Sequence, residues 1–276
     1  MIRFGPAGLG GVSDAVSTLE HYHKLGLKAC EIAFTYGVYI KDKKDAEEIG
    51  KVAKKLGISL SIHAPYWINL NSFDKEKLEK SKERILECLK VGTWLGAKLV
   101  VFHSGFYGSM DKEQTYENIK NQIMEIHKIR MKKNYSPKLA PETTGKINVF
   151  GSIDEIANLT KETGCEFCID FAHILAREKS YEFERVRKVF SKHKNWHVHF
   201  SGIEFSDKGE RRHKTTSEKE LKKLFNGLPK NKNITIINEA LNPVGDSTKG
   251  FRIYRGLGRG SKSKISIKRF TKDKSA

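Results

Sequence analysis

The chain has 276 residues, 38% hydrophobic and 30% charged, with a net charge of +18. That length holds one large core, and a run of about 18 apolar residues is absent, which excludes a membrane-spanning helix. Met1–Pro6 shows no basic segment followed by an apolar one, so no signal peptide is expected and the protein is read as cytoplasmic. A charge this large suggests a polyanionic partner, because a surface merely rich in lysine and glutamate would not be so unbalanced.

Ile2 to Gly5 reads as a first short strand. Val16, Leu19, Tyr22 and Leu25 follow at three-residue steps, predicting a helix over 13–25 that Gly26 stops. Ala29 to Phe34 is the second strand, Thr35 to Tyr39 an aromatic-rich loop, and Asp42 to Leu56 the second helix. Ile58 to Ile62 is the third strand, broken by Pro65. A long charged helix runs from Phe73-Asp74 to Gly96, buried along Leu78, Ile85, Cys88 and Leu89. Gly92 lies on that stripe, where a missing side chain allows close packing on a sheet. Lys98–His103 is a strand and Asp111–Met131 a helix; Leu139–Glu142 is a brief strand, after which Ser152 caps a helix over Ile153–Thr163. Glu166–Asp170 is the sixth strand, with its helix at about Tyr181–Lys192. Asn195–Phe200, a polar loop over Ser201–Thr216, a helix at Glu218–Phe225 and the strand Ile234–Glu239 complete the series.

Eight strands alternating with helices imply parallel strands, right-handed crossovers and a closed (β/α)8 TIM barrel, which typically takes about 250 residues. Gly8-Leu9-Gly10-Gly11 lacks the spacing of a dinucleotide loop. Residues 1–249 are read as a single catalytic domain. Beyond Gly245 no regular structure is expected, and 250–276 is read as a basic, flexible tail, with nine Lys/Arg against one acid. The four cysteines form no framework. Cys165 and Cys168 fall on opposite faces of a strand and are rejected as a metal pair.

The informative pattern is at the strand ends. Strands three to eight finish in His63, His103, Glu142, Asp170, His199 and Glu239. In such a barrel these ends open on one face, where chemistry is built. Each residue alone has an ordinary explanation: Glu142 or Asp170 could cap a helix, and His199 could pair with His197 on one strand face. Together, three imidazoles and three carboxylates form a metal-binding set. With His173 and His213 in reach the donors exceed one tetrahedral site and suggest two or three ions. A multi-metal cup in a basic protein points to phosphodiester hydrolysis. Tyr66, Trp67, Phe106 and Tyr107 are aromatics near it that could stack on bases or simply pack their loops.

S-I-H-A-P-Y-W-I-N-L, V-F-H-S-G, P-E-T-T-G, C-I-D-F-A-H and N-E-A, in this order and spacing, resemble the endonuclease IV family of AP endonucleases, over most of residues 1–245. The resemblance implies a trinuclear zinc enzyme of DNA repair, cutting double-stranded DNA 5′ to an abasic site and leaving a 3′-hydroxyl. His63 and His103 match ligands of the first zinc, and Glu142 the carboxylate bridging first and second. Asp170, His199 and Glu239 match the remaining ligands of the second, and His173 and His213 match ligands of the third. Tyr66 matches a residue that enters the DNA stack. Two departures stand out. The family's aspartate two residues before the last histidine is Arg211, with Glu210 the available substitute. The arginine after strand two is Tyr39, expected to stack instead. Zinc is the expected metal, with manganese as the other choice, and the enzyme is expected to act as a monomer on nucleoid DNA. The alternative on the same barrel is a metal-dependent sugar isomerase or epimerase, which needs fewer ions and has little use for the positive charge.

Overall fold

Strand parity decides the architecture. On each strand one set of alternate residues is large and apolar, and in the computed structural model this set faces the helices. Phe4, Ile32, Ile62, Phe102, Ile169 and Val198 all belong to one continuous core between sheet and helices. The opposite set faces the barrel interior, where Val101, Ala140 and Cys168 form a small separate cluster. Residues 1–270 are described, with side chains to residue 257.

The barrel strands are β1 (Ile2–Pro6), β2 (Ala29–Ala33), β3 (Ser59–His63), β4 (Leu99–Phe102), β5 (Lys138–Pro141), β6 (Cys168–Asp170), β7 (Asn195–Phe200) and β10 (Asn233–Asn238). They pair in parallel in the orders β1-β10-β7-β6 and β2-β3-β4-β5. Bridges Ala7 to Glu31 and Glu142 to Cys168 join the two halves into a closed ring. Closure requires a glycine: a Cβ on Gly5 would lie 1.9 Å from the Ala29 carbonyl oxygen.

Helices α1 (Ala15–Lys24), α2 (Lys43–Leu56), α3 (Lys75–Leu95), α4 (Lys112–Lys132) and α5 (Ile153–Thr163) follow the first five strands. Their ends obey local chemistry. Asp42, Asp74, Asp111 and Ser152 accept bonds from the first-turn amides, and Gly57, Gly96 and Gly164 take left-handed conformations at the exits. Gly92 does pack tightly: a Cβ there would come within 2.8 Å of Pro137 and 3.0 Å of Ile62.

Three elements differ from the sequence reading. After β6 the chain enters helix α6 (Phe171–Glu178) at once, capped by Asp170, and the expected sixth helix is only α7 (Phe183–Val189). The polar loop after β7 contains a hairpin, β8 (Gly202–Ser206) and β9 (Gly209–Lys214), before α8 (Glu218–Gly227). The third difference corrects the tail. Helix α9 (Pro243–Phe270) begins directly after β10 and is the eighth helix of the barrel, so the boundary at 249/250 falls inside it. Phe251 and Tyr254 pack on Phe4 at 6.2 and 5.8 Å between ring centroids. Burying those rings outweighs the low helix propensity of Gly245, Gly250 and Gly256. Residues 271–276, the end of the expected tail, lie outside the described residues. Among the described residues no helix is long and apolar enough to cross a membrane.

Because Tyr254 joins Phe4 and Phe225, Tyr254→Ala is expected to destabilise the chain by about 2–3 kcal/mol. Urea unfolding checks this; an unchanged midpoint would mean that α9 is not part of the cooperative core.

Candidate metal centre

The strand-end residues converge. His63, His103 and Glu142 bring donor atoms within 4.8 Å of one another; so do Glu142, Asp170, His199 and Glu239, and so do His173, Glu210 and His213. Glu142 belongs to two groups and is fully buried. Its Oε2 lies 3.1 Å from His63 Nε2 and 3.3 Å from His103 Nε2. Its Oε1 lies 3.1 Å from His199 Nδ1 and 3.4 Å from His173 Nδ1. Asp170 serves twice: Oδ1 accepts from the His173 amide at 2.7 Å as the cap of α6, while Oδ2 is buried without a hydrogen-bond partner among the described residues.

The imidazoles are aimed by their other nitrogens. His63 Nδ1 donates to the Ala64 carbonyl at 2.8 Å and His173 Nδ1 to that of Thr143 at 2.9 Å. A carbonyl only accepts, so each ring keeps a proton on Nδ1 and leaves Nε2 to face the cup, where it can hold a proton or give its lone pair to a cation. His213 Nδ1 is held by the Ser201 hydroxyl at 2.6 Å.

Glu210 enters the third group through a backbone irregularity. In a regular strand Glu210 and His213, three apart, would face opposite ways. The β8–β9 register shifts between Glu204 and Phe205: Arg212 opposes Glu204 while Glu210 opposes Phe205, leaving Arg211 as the extra residue. The bulge restores a common face, with Glu210 Oε2 3.4 Å from His173 Nε2 and Oε1 3.9 Å from His213 Nε2. Arg211 itself is exposed. Gly145 makes room, since a Cβ there would meet Glu210 Cβ at 2.7 Å and His173 Cδ2 at 3.1 Å.

Burial opposes charge on each of these groups, and mutual contact mostly outweighs it. Burial pushes His63 down, but Glu142 raises it to about 9. Burial pushes Glu142 up, yet His199 and His103 hold it well below the usual carboxylate range. Glu239, also pushed up by burial, is held at about 2, chiefly by His199. His173 and His199 stand well above the usual imidazole value despite burial, through Asp170 and Glu210 in one case and through Cys168 and Glu239 in the other. At Asp170 burial wins and its pKa is raised. In the metal-free chain, protons on the imidazoles thus supply the positive charge that neutralises the carboxylates. The set fits divalent cations: the donors are imidazole and carboxylate, and His103 Nε2 and Asp170 Oδ2 are buried without a hydrogen-bond partner among the described residues.

A cleft of about 270 Å³ opens over the cup, lined among others by Tyr66, Phe106, Thr144 and Lys146. Tyr66 is 56% exposed, its ring edge-on to His63 at 5.8 Å. Trp67 and Phe106 are exposed too, whereas Tyr107 is buried and its hydroxyl donates to Glu155 at 2.8 Å, which takes it out of the rim. Tyr39 packs edge-on against Phe34 at 5.1 Å and is only 38% exposed. Tyr36, in the same loop, is 85% exposed. The sequence reading did not include Glu31, a buried acid beside His197 and His199. Its signal was an acid alone among apolar residues in β2, at an inward position.

The metal-free chain is expected to lose stability as pH rises from about 6.5 toward about 9, where His63 gives up the proton it holds only in the folded state. His173 and His199 act in the same direction. Saturating zinc is expected to flatten the profile, because a bound cation takes over the proton's role. Thermal unfolding at pH 6.5 and 9, with zinc or with chelator, measures this; a chelated chain equally stable at both values would refute it.

Residues 19–249 match the xylose isomerase-like TIM barrel family. An uncharacterised protein of Methanocaldococcus jannaschii is 40% identical over 232 residues, covering 79% of this chain and 83% of that one. A Carboxydothermus hydrogenoformans protein named "Probable endonuclease 4" is 33% identical over 122 residues, so the match spans 42% of either chain. Among solved structures, endonuclease IV from Thermus thermophilus superposes with a TM-score of 0.69 at 19% identity, over 94% of this chain and 99% of that one. A D-tagatose 3-epimerase-like protein superposes at 0.67 with 18% identity, over 95% and 99%. Family match, M. jannaschii relative and closed parallel barrel agree: this chain belongs to the xylose isomerase-like TIM barrel family.

Proposed function

We propose that this chain is a metal-dependent AP endonuclease, hydrolysing the phosphodiester bond 5′ to an abasic site in double-stranded DNA to leave a 3′-hydroxyl. The observation that carries the reading is the set of three adjoining donor groups in one cup, beneath a cleft with an aromatic and basic rim. Three groups exceed what a sugar isomerase or epimerase on this barrel needs. Zinc, or manganese given the carboxylates, held by His63, His103, Glu142, Asp170, His173, His199, Glu210, His213 and Glu239 would supply a hydroxide nucleophile near neutral pH and Lewis-acid stabilisation of the phosphate oxygens.

The chain's own residues supply the rest. Glu142, shared by two groups, ties them into one unit. Tyr66 stands at the edge of the cleft to shield the cup from water and stack on a neighbouring base. Lys146, Lys208, Arg211 and Lys214 are exposed around the cup and hairpin, where they can neutralise flanking phosphates. In the loop after β2, Tyr36 is better placed than Tyr39 to reach a base. The reading carries with it a monomer acting on nucleoid DNA in the cytoplasm.

The test is cleavage of a duplex carrying one abasic-site analogue, with metal content measured on the same sample. Cleavage 5′ to the lesion, lost on chelation and restored by zinc or manganese, is expected. A fully metallated chain that leaves this duplex intact and epimerises a keto-sugar would overturn the proposal. Glu142→Gln is expected to lower cleavage by about three orders of magnitude, equivalent to about 4 kcal/mol, while duplex binding persists. Equal loss of binding and cleavage would contradict that division. Glu210→Gln is expected to remove one ion per chain by metal analysis, and unchanged stoichiometry would take Glu210 out of the third group.

A further inference from the structure

One layer beneath the donor groups, the barrel interior holds a second polar cluster that the reading above does not use. Glu31 on β2 is completely buried, and His197 on β7 nearly so. Parity turns Glu31 inward, away from the shell that holds Cys30 and Ile32. Its Oε2 accepts from Ser61 Oγ at 2.7 Å and from His197 Nε2 at 2.8 Å. Its Oε1 lies 2.8 Å from His199 Nε2. The contact is close but too bent for a hydrogen bond as it stands, and neither atom has a hydrogen-bond partner among the described residues.

His199 is mounted the opposite way from its neighbours. His63 and His173 are held by Nδ1 on backbone carbonyls and offer Nε2. His199 instead presents Nδ1 to the cup, 3.1 Å from Glu142 Oε1 and 3.4 Å from Glu239 Oε2, and turns Nε2 down toward Glu31. An ionised carboxylate accepts and cannot donate. In the metal-free chain both nitrogens of His199 therefore face carboxylates; when a cation replaces the proton on Nδ1, Glu31 keeps the other proton on Nε2 and the Nδ1 lone pair goes to the cup.

We propose that Glu31 is a positioning residue for the metal centre: it sets the orientation and tautomer of His199 so that Nδ1 is the donor to the Glu142–Asp170–Glu239 group. Ser61 and His197 hold the other oxygen, which keeps the carboxylate from turning away. This is the carboxylate–histidine–metal relay by which an outer group fixes a ligand. It rests on reading the cup as a metal centre, and not on the reaction that centre performs. A rival use of the same residues exists, since Cys168, His197 and His199 also bring donor atoms within 4.8 Å of one another. Protons on both His197 Nε2 and His199 Nε2, each directed to Glu31, argue against an ion there.

The test is a zinc titration of the full chain against a competing chelator, with stoichiometry, for wild type, Glu31→Gln and His197→Asn. In Glu31→Gln one carboxylate oxygen becomes an N–H donor, which must face either His199 or the Ser61–His197 pair. One ion is expected to bind about 10–100-fold more weakly, with the others unaffected. His197→Asn leaves Oε1 on His199, so it is expected to lower thermal stability while keeping wild-type metal affinities. Wild-type affinities in folded Glu31→Gln, equal losses in both variants, or a fourth ion per chain would each overturn the assignment. A wild-type chain that binds no ion would overturn the metal reading along with it. Should Glu31→Gln fail to fold, a long-range ¹H–¹⁵N spectrum of the zinc-loaded wild type decides. His199 protonated on Nε2 supports the assignment, and protonated on Nδ1 overturns it.

Discussion

The carboxylate of Glu142 is buried completely, with imidazole nitrogens of His63, His103, His173 and His199 all 3.1–3.4 Å away. A charge in that position is tolerable only if opposite charge surrounds it. Much of the interior follows from this requirement. His63 turns Nε2 toward Glu142, so its outer nitrogen needs a fixed partner, which the Ala64 carbonyl supplies, while His173 is held beside Glu142 by the Thr143 carbonyl on the same Nδ1. Glu239 adds charge that must also be balanced, and its nearest imidazole is His199 at 3.4 Å. The cup behaves as one electrostatic unit in which a change at any member unbalances the others.

What could be read from the sequence was what depends on local periodicity and element ends. The eight barrel strands were legible because their apolar residues face the helices at every second position, and helix ends were legible at Ser152, Asp42 and Gly57 through cap chemistry. The strand-end donors were legible because the C-terminal ends of parallel barrel strands share one face, so distance in sequence does not matter. What escaped reading depends on contacts between distant segments. Helix α9 is glycine-rich and becomes a helix where Phe251 and Tyr254 find Phe4. Glu31 reads as an isolated acid until β7 delivers His197 and His199 beside it.

Glu210 lies between these cases. Its residue type and its place near His213 were visible, but the segment read as a polar loop, which fixes no direction for a side chain. In the hairpin that forms there, a β-bulge at Arg211 adds one residue to one strand and so puts Glu210 and His213, three apart, on one face. The same insertion sends Arg211 outward, so a cationic side chain that would have repelled a metal instead joins the basic surface. Donors whose spacing looks irregular in sequence can thus converge in space, and the register of the hairpin, rather than the spacing of letters, is what decides.

The barrel interior shows what this centre demands of the fold. Barrels of this kind usually fill their interior with layers dominated by valine, isoleucine and leucine. Here the layer around Glu31 contains Ser61, Cys168 and His197, and among the described residues a small apolar cluster inside the ring consists of Val101, Ala140 and Cys168, with Leu99 against it. Stability must come instead from the shell between sheet and helices, where Phe34, Phe102, Phe167, Phe171, Phe190 and Phe200 are all fully buried. The division is physically consistent. Apolar packing is non-directional and can be gathered outside the ring, whereas aiming an imidazole requires a hydrogen-bond partner on its far side. Branched apolar residues at positions 31, 61 and 197 would pack the interior better and leave His199 free to turn, so the polar layer exchanges packing energy for fixed geometry at the strand ends.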